Sequence, residues 1–467
     1  MVTPINAGVE KQKSSYQTSK TQSNSGYGFT INTDEKKWQE QTKVFQKEFD
    51  LGPNGITKII NGFGKVQVQP WNKNKAKIEV VVTVSANKYK KIEEVLENVN
   101  VDFSHKHQLV KAETVVINRK KMRWNNRINW KVSIDYKVFV PQTSTIDINH
   151  HHGEIVIGDF FGNTNLRINH VDFTAEHIGE EARIRMGHGK GVIKNGGNIF
   201  GDLLHSEIKA EQLGNVDLDL GHSTFEANKT GDISGKTLHG KIKIGQVNNY
   251  NLKGTGGTIN IEKAQKVSLN HRNIDIFIGN ATDIIADLEH SKFRSNEVGN
   301  VSLDLKHSNF EVQKAGDIKG NSTQGKMNLG IIDRYENNSH GTKVEIEKVN
   351  TVKTKGHTTK LTISEVVANL AIDFEFGKCT ATINNLSPQI NLLGNKAHFD
   401  LKVPANAQFQ FDMTANTKNY SFPKDIQLSR QIEKTTHHEA EGFLGDSTVQ
   451  NLLKADLLWG KFELEKN

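Results

Sequence analysis

Apolar and polar residues alternate with a period of two over most of the chain, in short runs separated by Gly, Asn and Asp. This alternation predicts half-buried β-strands, because successive side chains of a strand point to opposite faces. The clearest helical segment is 87–97, where Tyr89, Ile92, Val95 and Leu96 are spaced to share one side of a helix. The pattern therefore predicts a chain of strands with one short helix near its beginning.

A repeated position, here called the slot, organises the chain from about residue 145 onwards. Its successive spacings are 18, 18 and then 17 ten times running. The residues in the slot are His152, His170, His188, His205, His222, His239, Gly256, Asn273, His290, His307, Gln324, Gly341 and Thr358. Such a period is typical of a solenoid, in which each coil covers the apolar face of its neighbour.

The residues around the slot repeat as well. The segment 216–225 (VDLDLGHSTF) matches 301–310 (VSLDLKHSNF) almost position for position. In one straight strand, Leu218 and His222 would lie on the same face and Phe225 on the opposite face. A corner between His222 and Phe225 is therefore needed for all three side chains to point inward. Each coil is therefore at least two strands and a turn, and Gly-Asn or Gly-Asp pairs mark a second turn.

These patterns predict an all-β fold, a single-stranded parallel β-solenoid with coils of about 17 residues, right-handed as such coils usually are. The expected organisation is a flexible polar arm over 1–35, a β-rich N-terminal cap with one helix over 36–144, the solenoid over 145–398 and a C-terminal β cap over 399–467. The terminal cap is expected because an uncovered last coil would leave an open strand edge.

Composition narrows the classes of function. The 467 residues include 60 basic and 53 acidic side chains mixed through the chain, a balance that does not predict nucleic-acid binding. One cysteine, Cys379, excludes an intramolecular disulfide framework and a thiolate metal cluster. We expect no membrane span, because no apolar stretch is long enough, and residues 1–4 do not begin a signal peptide, so an exported form would need a leader that this chain lacks.

Eight of the 19 histidines occupy the slot, and Phe63, Phe376 and Trp459 occupy the equivalent place in outlying β motifs. A slot that accepts these rings as well as His predicts flat rings stacked from coil to coil. We call this set the ring column and assign to it Phe63, His152, His170, His188, His205, His222, His239, His290, His307, Phe376 and Trp459. Protonation of adjacent buried rings would bring like charges together, which predicts lower stability below about pH 6.

The alternative is that the ring column binds metal, since closely spaced neutral imidazoles can ligate zinc, copper or nickel. A metal site would not accept Phe or Trp, and the column is interrupted at Gly256 and Asn273. It also lacks a regular carboxylate at any one offset, which an oriented metal site would need. The sequence therefore favours a structural role, with no metal and no cofactor.

Outward positions three residues before the slot place Asp202 beside Asp219 and Asp287 beside Asp304. Paired carboxylates could serve a retaining glycosidase or hold calcium. Strand exteriors are polar in any case, and no long insertion rises from these coils to form a cleft. Because the chain also lacks a phosphate-binding Gly-rich loop, an HExxH motif and a Gly-x-Ser-x-Gly elbow, we predict no enzyme.

A basic segment at 118–127 lies between two β-patterned runs and is predicted to be a loop tip. Arg beside Trp can hold a phosphate, a sugar acid or a base, although a solvated tip is the simpler interpretation. The candidate ligand contacts, on this tip and on the strand faces, are Arg119, Lys120, Lys121, Arg123, Trp124, Asp287 and Asp304.

The segment 59–68 (IINGFGKVQV), followed by Trp71, resembles the entry motif of the bacterial β-strand-repeat adhesin-like family, in which an aromatic-Gly-x-hydrophobic step recurs. Similar steps begin at His152, His188, His239 and Trp459. The resemblance covers roughly residues 40–467. It implies an exported β-helical protein of the periplasm or cell surface, similar to autotransporter adhesins, with no established active site.

Three functions are compatible with these features. The first is a non-catalytic cell-envelope or surface scaffold whose long faces bind an envelope protein or an extracellular glycan. The second is a polysaccharide-acting enzyme that uses the outward Asp pairs, and the third is a metal-binding surface protein that uses the ring column. The sequence favours the first.

Overall fold

The computed structural model describes residues 15–17, 38–117 and 130–467. Strands make up nearly all of the regular structure in these ranges, together with one helix. The chain divides into two compact units, 1–227 and 228–467. Most of the predicted polar arm and the whole basic tip lie outside the described residues.

The first unit contains the helix α1 (Tyr89–Asn98) and, among its described residues, sixteen strands, the last of which ends just past the border. The strands are β1 (Ser15–Gln17), β2 (Gln39–Asp50), β3 (Ile56–Trp71), β4 (Lys75–Ala86), β5 (Val99–Lys106), β6 (Leu109–Val116), β7 (Trp130–Pro141), β8 (Thr145–Phe160), β9 (Thr164–Asn169), β10 (Val171–Ile178), β11 (Glu181–Gly187), β12 (Lys190–Asn195), β13 (Asn198–Leu204), β14 (Glu207–Gln212), β15 (Val216–Gly221) and β16 (Thr224–Lys229).

The beginning of the first unit is a mixed sheet that leads into the coils. Strand β4 pairs antiparallel with β2 and β7, and β3 pairs in parallel with β6, β7 and β8. The predicted helix is present, and Ile92, Val95 and Leu96 are buried. Tyr89, the first residue of the helix, is 49% exposed, and its hydroxyl accepts a hydrogen bond from Gln41 Nε2 at 2.7 Å.

From β8 onwards, corresponding strands of successive coils pair in parallel within the first unit. One series of parallel pairings runs through β8, β9, β11, β13 and β15, and a second runs through β8, β10, β12 and β14, because the two halves of β8 pair with β9 and β10. Arg185 lies opposite Asp202, and Asp202 lies opposite Asp219, so the register advances by one sequence repeat per coil. The predicted parallel β-solenoid is confirmed.

The second unit contains fourteen strands. They are β17 (Ile233–Arg272), β18 (Asp275–Glu289), β19 (Lys292–Lys306), β20 (Asn309–His357), β21 (Lys360–Glu375), β22 (Lys378–Ile383), β23 (Gln389–Asn395), β24 (His398–Val403), β25 (Phe409–Ala415), β26 (Tyr420–Ser421), β27 (Gln427–Lys434), β28 (His437–Leu444), β29 (Leu452–Leu458) and β30 (Lys461–Lys466).

The coils of the second unit end in an arrangement that chain order alone does not indicate. Strands β17 to β21 pair in parallel one after another, and β23 and β24 continue the stack. The next coil is formed by β29 and β30, near the end of the chain. The intervening strands β25 and β26 pair with the far edges of β29 and β30, while β28 pairs antiparallel with β25 and β27. These pairings cover strand edges that would otherwise be open.

The core of each unit lies between its two sheets. Leu218 and Phe225 are buried in the first unit, and Phe293 and Phe310 are buried in the second with ring centroids 4.7 Å apart. Each such side chain contributes about 1.5–3 kcal/mol on burial. Inward positions of successive coils therefore form continuous apolar columns.

Both corners of a coil are held by polar groups from the neighbouring coil. At the Gly-Asn corner, Asn198 Oδ1 accepts a hydrogen bond from the Asn215 backbone N–H at 2.9 Å. At the slot corner, Ser223 Oγ accepts one from the Ser206 N–H at 3.1 Å and donates to the Gly221 carbonyl at 2.8 Å. Buried backbone donors are thereby paired, which explains the small polar residue after many of the slots.

Candidate binding surfaces

The first unit brings six rings of the ring column into one stack. Neighbouring centroids are 4.9 to 5.5 Å apart, and neighbouring planes are inclined by 9° to 16°. The rings are Phe63, His152, His170, His188, His205 and His222. The separation follows the distance between strands in a sheet, about 4.8 Å, so one ring is supplied by each coil.

In the second unit, His290 and His307 stack at 4.8 Å with a 10° inclination. Phe376 meets the ring of His357 edge-on at 5.6 Å, and Lys396 Nζ lies 4.9 Å from its centroid. The remaining predicted members of the column, His239 and Trp459, are exposed in slots of this unit. A short second stack, which the sequence analysis missed, joins His340 to His357 one position before the slot, with 4.9 Å between centroids.

The predicted inward direction of the slot side chains is wrong. His222 is exposed, whereas Leu220 before it and Ser223 after it are buried. The φ of His222 is 49°, and this left-handed backbone turns the chain through the corner and leaves the ring outside. Glycine adopts that conformation freely, and Asn and His do so more often than most residues, which explains Gly256 and Asn273 in the same slot.

The geometry of the stack does not favour metal binding between its rings. The lone pair of an imidazole nitrogen lies in the ring plane, and the planes of His188 and His205 differ by only 15° at a centroid separation of 5.1 Å. The lone pairs of neighbouring rings therefore lie in nearly parallel planes, whereas zinc requires nitrogens whose lone pairs all point at one ion about 2.0–2.1 Å away. The exposed rings instead form a strip of nearly parallel rings along one corner.

A groove on the outer face of β11, β13 and β15 combines an exposed ring with opposite charges. Phe200 is 36% exposed, and the Arg183 guanidinium lies 5.2 Å from its centroid. Arg185 Nε lies 3.2 Å from Asp202 Oδ2, and Asp219 completes the floor of the groove. We call this site the Phe200 groove; an apolar ring edged by guanidinium and carboxylate groups can stack on a ligand and hydrogen-bond to it.

Only half of this groove was predicted from the sequence. Asp202 and Asp219 were identified as outward neighbours, but Arg183 and Phe200, which lie five residues before the slot, were missed. Both positions point outward on the same strands. Aligning the column five residues before the slot beside the column three residues before it would have revealed the cluster.

Asp287 and Asp304 lie opposite each other on β18 and β19, as the register predicts. Asn270 Nδ2 donates a hydrogen bond to Asp287 Oδ2 at 3.2 Å, and Asn321 lies opposite Asp304 on the far side. The pair therefore belongs to a column of polar side chains on a strand exterior. The other candidate contacts, Arg119, Lys120, Lys121, Arg123 and Trp124, lie between β6 and β7, outside the described residues.

A buried histidine in the second unit was also missed. His271 lies on β17 two residues before the slot, is 3% exposed, and has no hydrogen-bond partner at either ring nitrogen. Burial lowers its pKa to about 4. The spacing could have indicated it, since this position two residues before the slot is an inward one and is occupied by Leu288 in the next coil.

Within the described part of the chain, no helix has the length and apolar character needed to cross a bilayer. The fold, with its repeated outward columns, defines a parallel β-solenoid repeat protein. No protein-family model matches the chain, and no curated protein matches it either.

The chain is similar to solved structures that are provisionally named as adhesins. One, a cell adhesion protein from Clostridium sporogenes, has 8% identity over 91% of this chain and 100% of its own, with a TM-score of 0.14. One from Bacteroides fragilis has 10% identity over 65% of this chain and 96% of its own, with a TM-score of 0.19. One from Parabacteroides distasonis has 9% identity over 91% and 97%, with a TM-score of 0.14.

The provisional names coincide with the family resemblance of the aromatic-Gly steps.

Proposed function

We propose that the protein is a non-catalytic, adhesin-like scaffold of the bacterial cell envelope or surface that binds an extracellular glycan through the outer faces of its solenoid. The observation that carries this proposal is the Phe200 groove. Export to the periplasm or cell surface is proposed from the family resemblance. An envelope protein is the alternative partner.

The repeated outer faces suit a polymer. Side chains at the same offset in successive coils lie one strand spacing apart, about 4.8 Å, so a face offers the same kind of contact many times along its length. Several of these side chains pair across coils: Lys314 Nζ is 2.6 Å from Glu297 Oε1, and Lys348 Nζ is 2.8 Å from Glu365 Oε1. Such pairs keep the faces polar and ordered for contact with a hydroxyl-rich chain.

The Phe200 groove supplies the specific contacts. The exposed ring can stack on the apolar face of a sugar, and Arg185, Asp202 and Asp219 can donate to or accept from its hydroxyl groups. The ion pair between Arg185 and Asp202 orients both side chains before a ligand arrives, which reduces the entropy lost on binding.

A glycan-binding screen followed by titration of the best ligand tests this proposal. We expect Phe200→Ala to weaken binding about tenfold, because truncation of a central aromatic contact typically costs more than 1 kcal/mol. Ile285→Ala is the matched control, since Ile285 lies at the same offset from its slot, is 45% exposed, and belongs to the other unit. Equal losses in both variants, or unchanged affinity in Phe200→Ala, would refute the role of the groove.

The absence of catalysis is tested with the same ligand. Saturable binding without release of new reducing ends supports the scaffold. Cleavage that disappears in both Asp287→Asn and Asp304→Asn would overturn it in favour of the polysaccharide-acting enzyme.

A further inference from the structure

Three side chains of metal-ligating types converge on the outer face of the second unit, away from the Phe200 groove. His398 and Asp400 lie on β24, and Glu463 lies on β30 opposite Asp400. The ligand atoms of these three residues all lie within 4.8 Å of one another. His398 Nε2 is 2.9 Å from Asp400 Oδ1 and 3.7 Å from Glu463 Oε2.

Two lysines hold the outer oxygens of the carboxylates. Lys378 Nζ lies 2.7 Å from Asp400 Oδ2, and Lys461 Nζ contacts Glu463 Oε1. Each carboxylate therefore has one oxygen on a lysine and the other directed at His398. In metal sites, a group that hydrogen-bonds to the non-ligating oxygen of a carboxylate fixes the orientation of that carboxylate.

The inner atoms of the cluster lack hydrogen bonds. His398 Nε2 and Asp400 Oδ1 are buried atoms with no hydrogen-bond partner, although they are only 2.9 Å apart. Two buried polar atoms this close together without a hydrogen bond are unfavourable unless a cation lies between them.

We propose that His398, Asp400 and Glu463 bind one divalent transition-metal ion of the zinc type, with a fourth position open to water. One imidazole and two carboxylates form a ligand set that suits zinc. Metal–ligand distances of about 2.0–2.2 Å place tetrahedral ligand atoms about 3.3–3.6 Å apart, so the three atoms need only small shifts to close on an ion. The ion joins β24 to β30, which are far apart in the chain.

The probe is Zn²⁺ added to full-length protein purified without a metal-affinity column. Isothermal titration and metal analysis are expected to show that the wild-type protein binds one equivalent of Zn²⁺ tightly. In His398→Ala and Glu463→Gln, the affinity for this equivalent should be at least tenfold weaker. His437→Ala is the matched control: His437 Nε2 lies 2.7 Å from Glu439 Oε1, but these two residues are not part of the three-ligand cluster. This variant should retain the tight equivalent. The exposed rings of the ring column are present in all four proteins and cancel in the comparison.

Thermal melts provide a second readout. Zn²⁺ should raise the melting temperature of the wild-type protein and of His437→Ala, but not of His398→Ala or Glu463→Gln. Glu463→Gln preserves side-chain volume, so it decides the question if His398→Ala fails to fold. The proposal is overturned if native-like Glu463→Gln binds Zn²⁺ with wild-type stoichiometry and affinity, or if Ca²⁺ binds the cluster as tightly as Zn²⁺.

Discussion

The backbone of the slot determines which residues occur there. The slot residues His170, Asn273, Gln324, Thr358 and Trp459 differ in chemistry, yet all have φ between 47° and 58°. A left-handed residue costs about 1–2 kcal/mol when it carries a bulky Cβ, and less for Asn, His or Gly. The abundance of His is thus explained by a tolerated backbone conformation together with ring stacking on the outside of the corner.

Substitution at one slot tests this explanation. His205→Val should lower the free energy of unfolding by about 1–2 kcal/mol, because a β-branched side chain opposes the left-handed backbone, while His205→Asn should change it by less than about 0.5 kcal/mol. Urea denaturation of each variant provides the measurement. Leu204→Val, at the exposed extended position immediately before the slot, is the control and should have little effect. Indistinguishable Val and Asn variants would contradict the explanation.

Within the strands, inward positions are apolar with few exceptions, and His271 on β17 is the exception with the clearest consequence. Its neighbour in the next coil is Leu288, and neither ring nitrogen has a hydrogen-bond partner. The acid sensitivity predicted for the ring column assumed buried rings, but its histidines are exposed, whereas the imidazole of His271 is buried. The burial of His271 follows from the alternation of inward and outward positions along β17.

The pH dependence follows from the lowered pKa of His271. Its pKa is about 4 in the folded protein against 6.5 for an ordinary histidine, so between these values the unfolded chain binds the proton more readily. Because of His271, the free energy of unfolding is therefore highest above about pH 6.5 and falls by about 3 kcal/mol as the pH drops to 4. His271→Leu should remove this part of the dependence in denaturation at pH 7 and pH 4, whereas the exposed slot variant His290→Asn should keep it. A wild-type pH profile in the Leu variant would contradict the assignment.

On the scale of the whole molecule, the sequence predicted the features that follow from the repeat, namely which residues of neighbouring coils lie opposite each other. The 17-residue period is sufficient to place Asp287 opposite Asp304, and the alternation within a coil identifies the two sheets of each unit. The predictions that failed depend on backbone conformation at single residues, as at His222, whose left-handed φ reverses the side expected from strand parity. The cluster of His398 and Glu463 could not be predicted, because the coil after β24 is supplied by β30 and the intervening strands fold elsewhere.

The most direct test of the account is disulfide trapping between coils. Asp287 and Asp304 are partners on adjacent strands, about 4.8 Å apart at Cα and within the range for a disulfide, whereas Asp287 and Asn321 are two strands apart, about 9.6 Å. The native Cys379 is buried, which raises its pKa and keeps its thiol unreactive. Mild oxidation followed by peptide mass spectrometry should show an intramolecular disulfide in Asp287→Cys/Asp304→Cys and none in Asp287→Cys/Asn321→Cys. Equal yields, or a disulfide only in the second protein, would contradict the parallel register on which the fold and its binding faces depend.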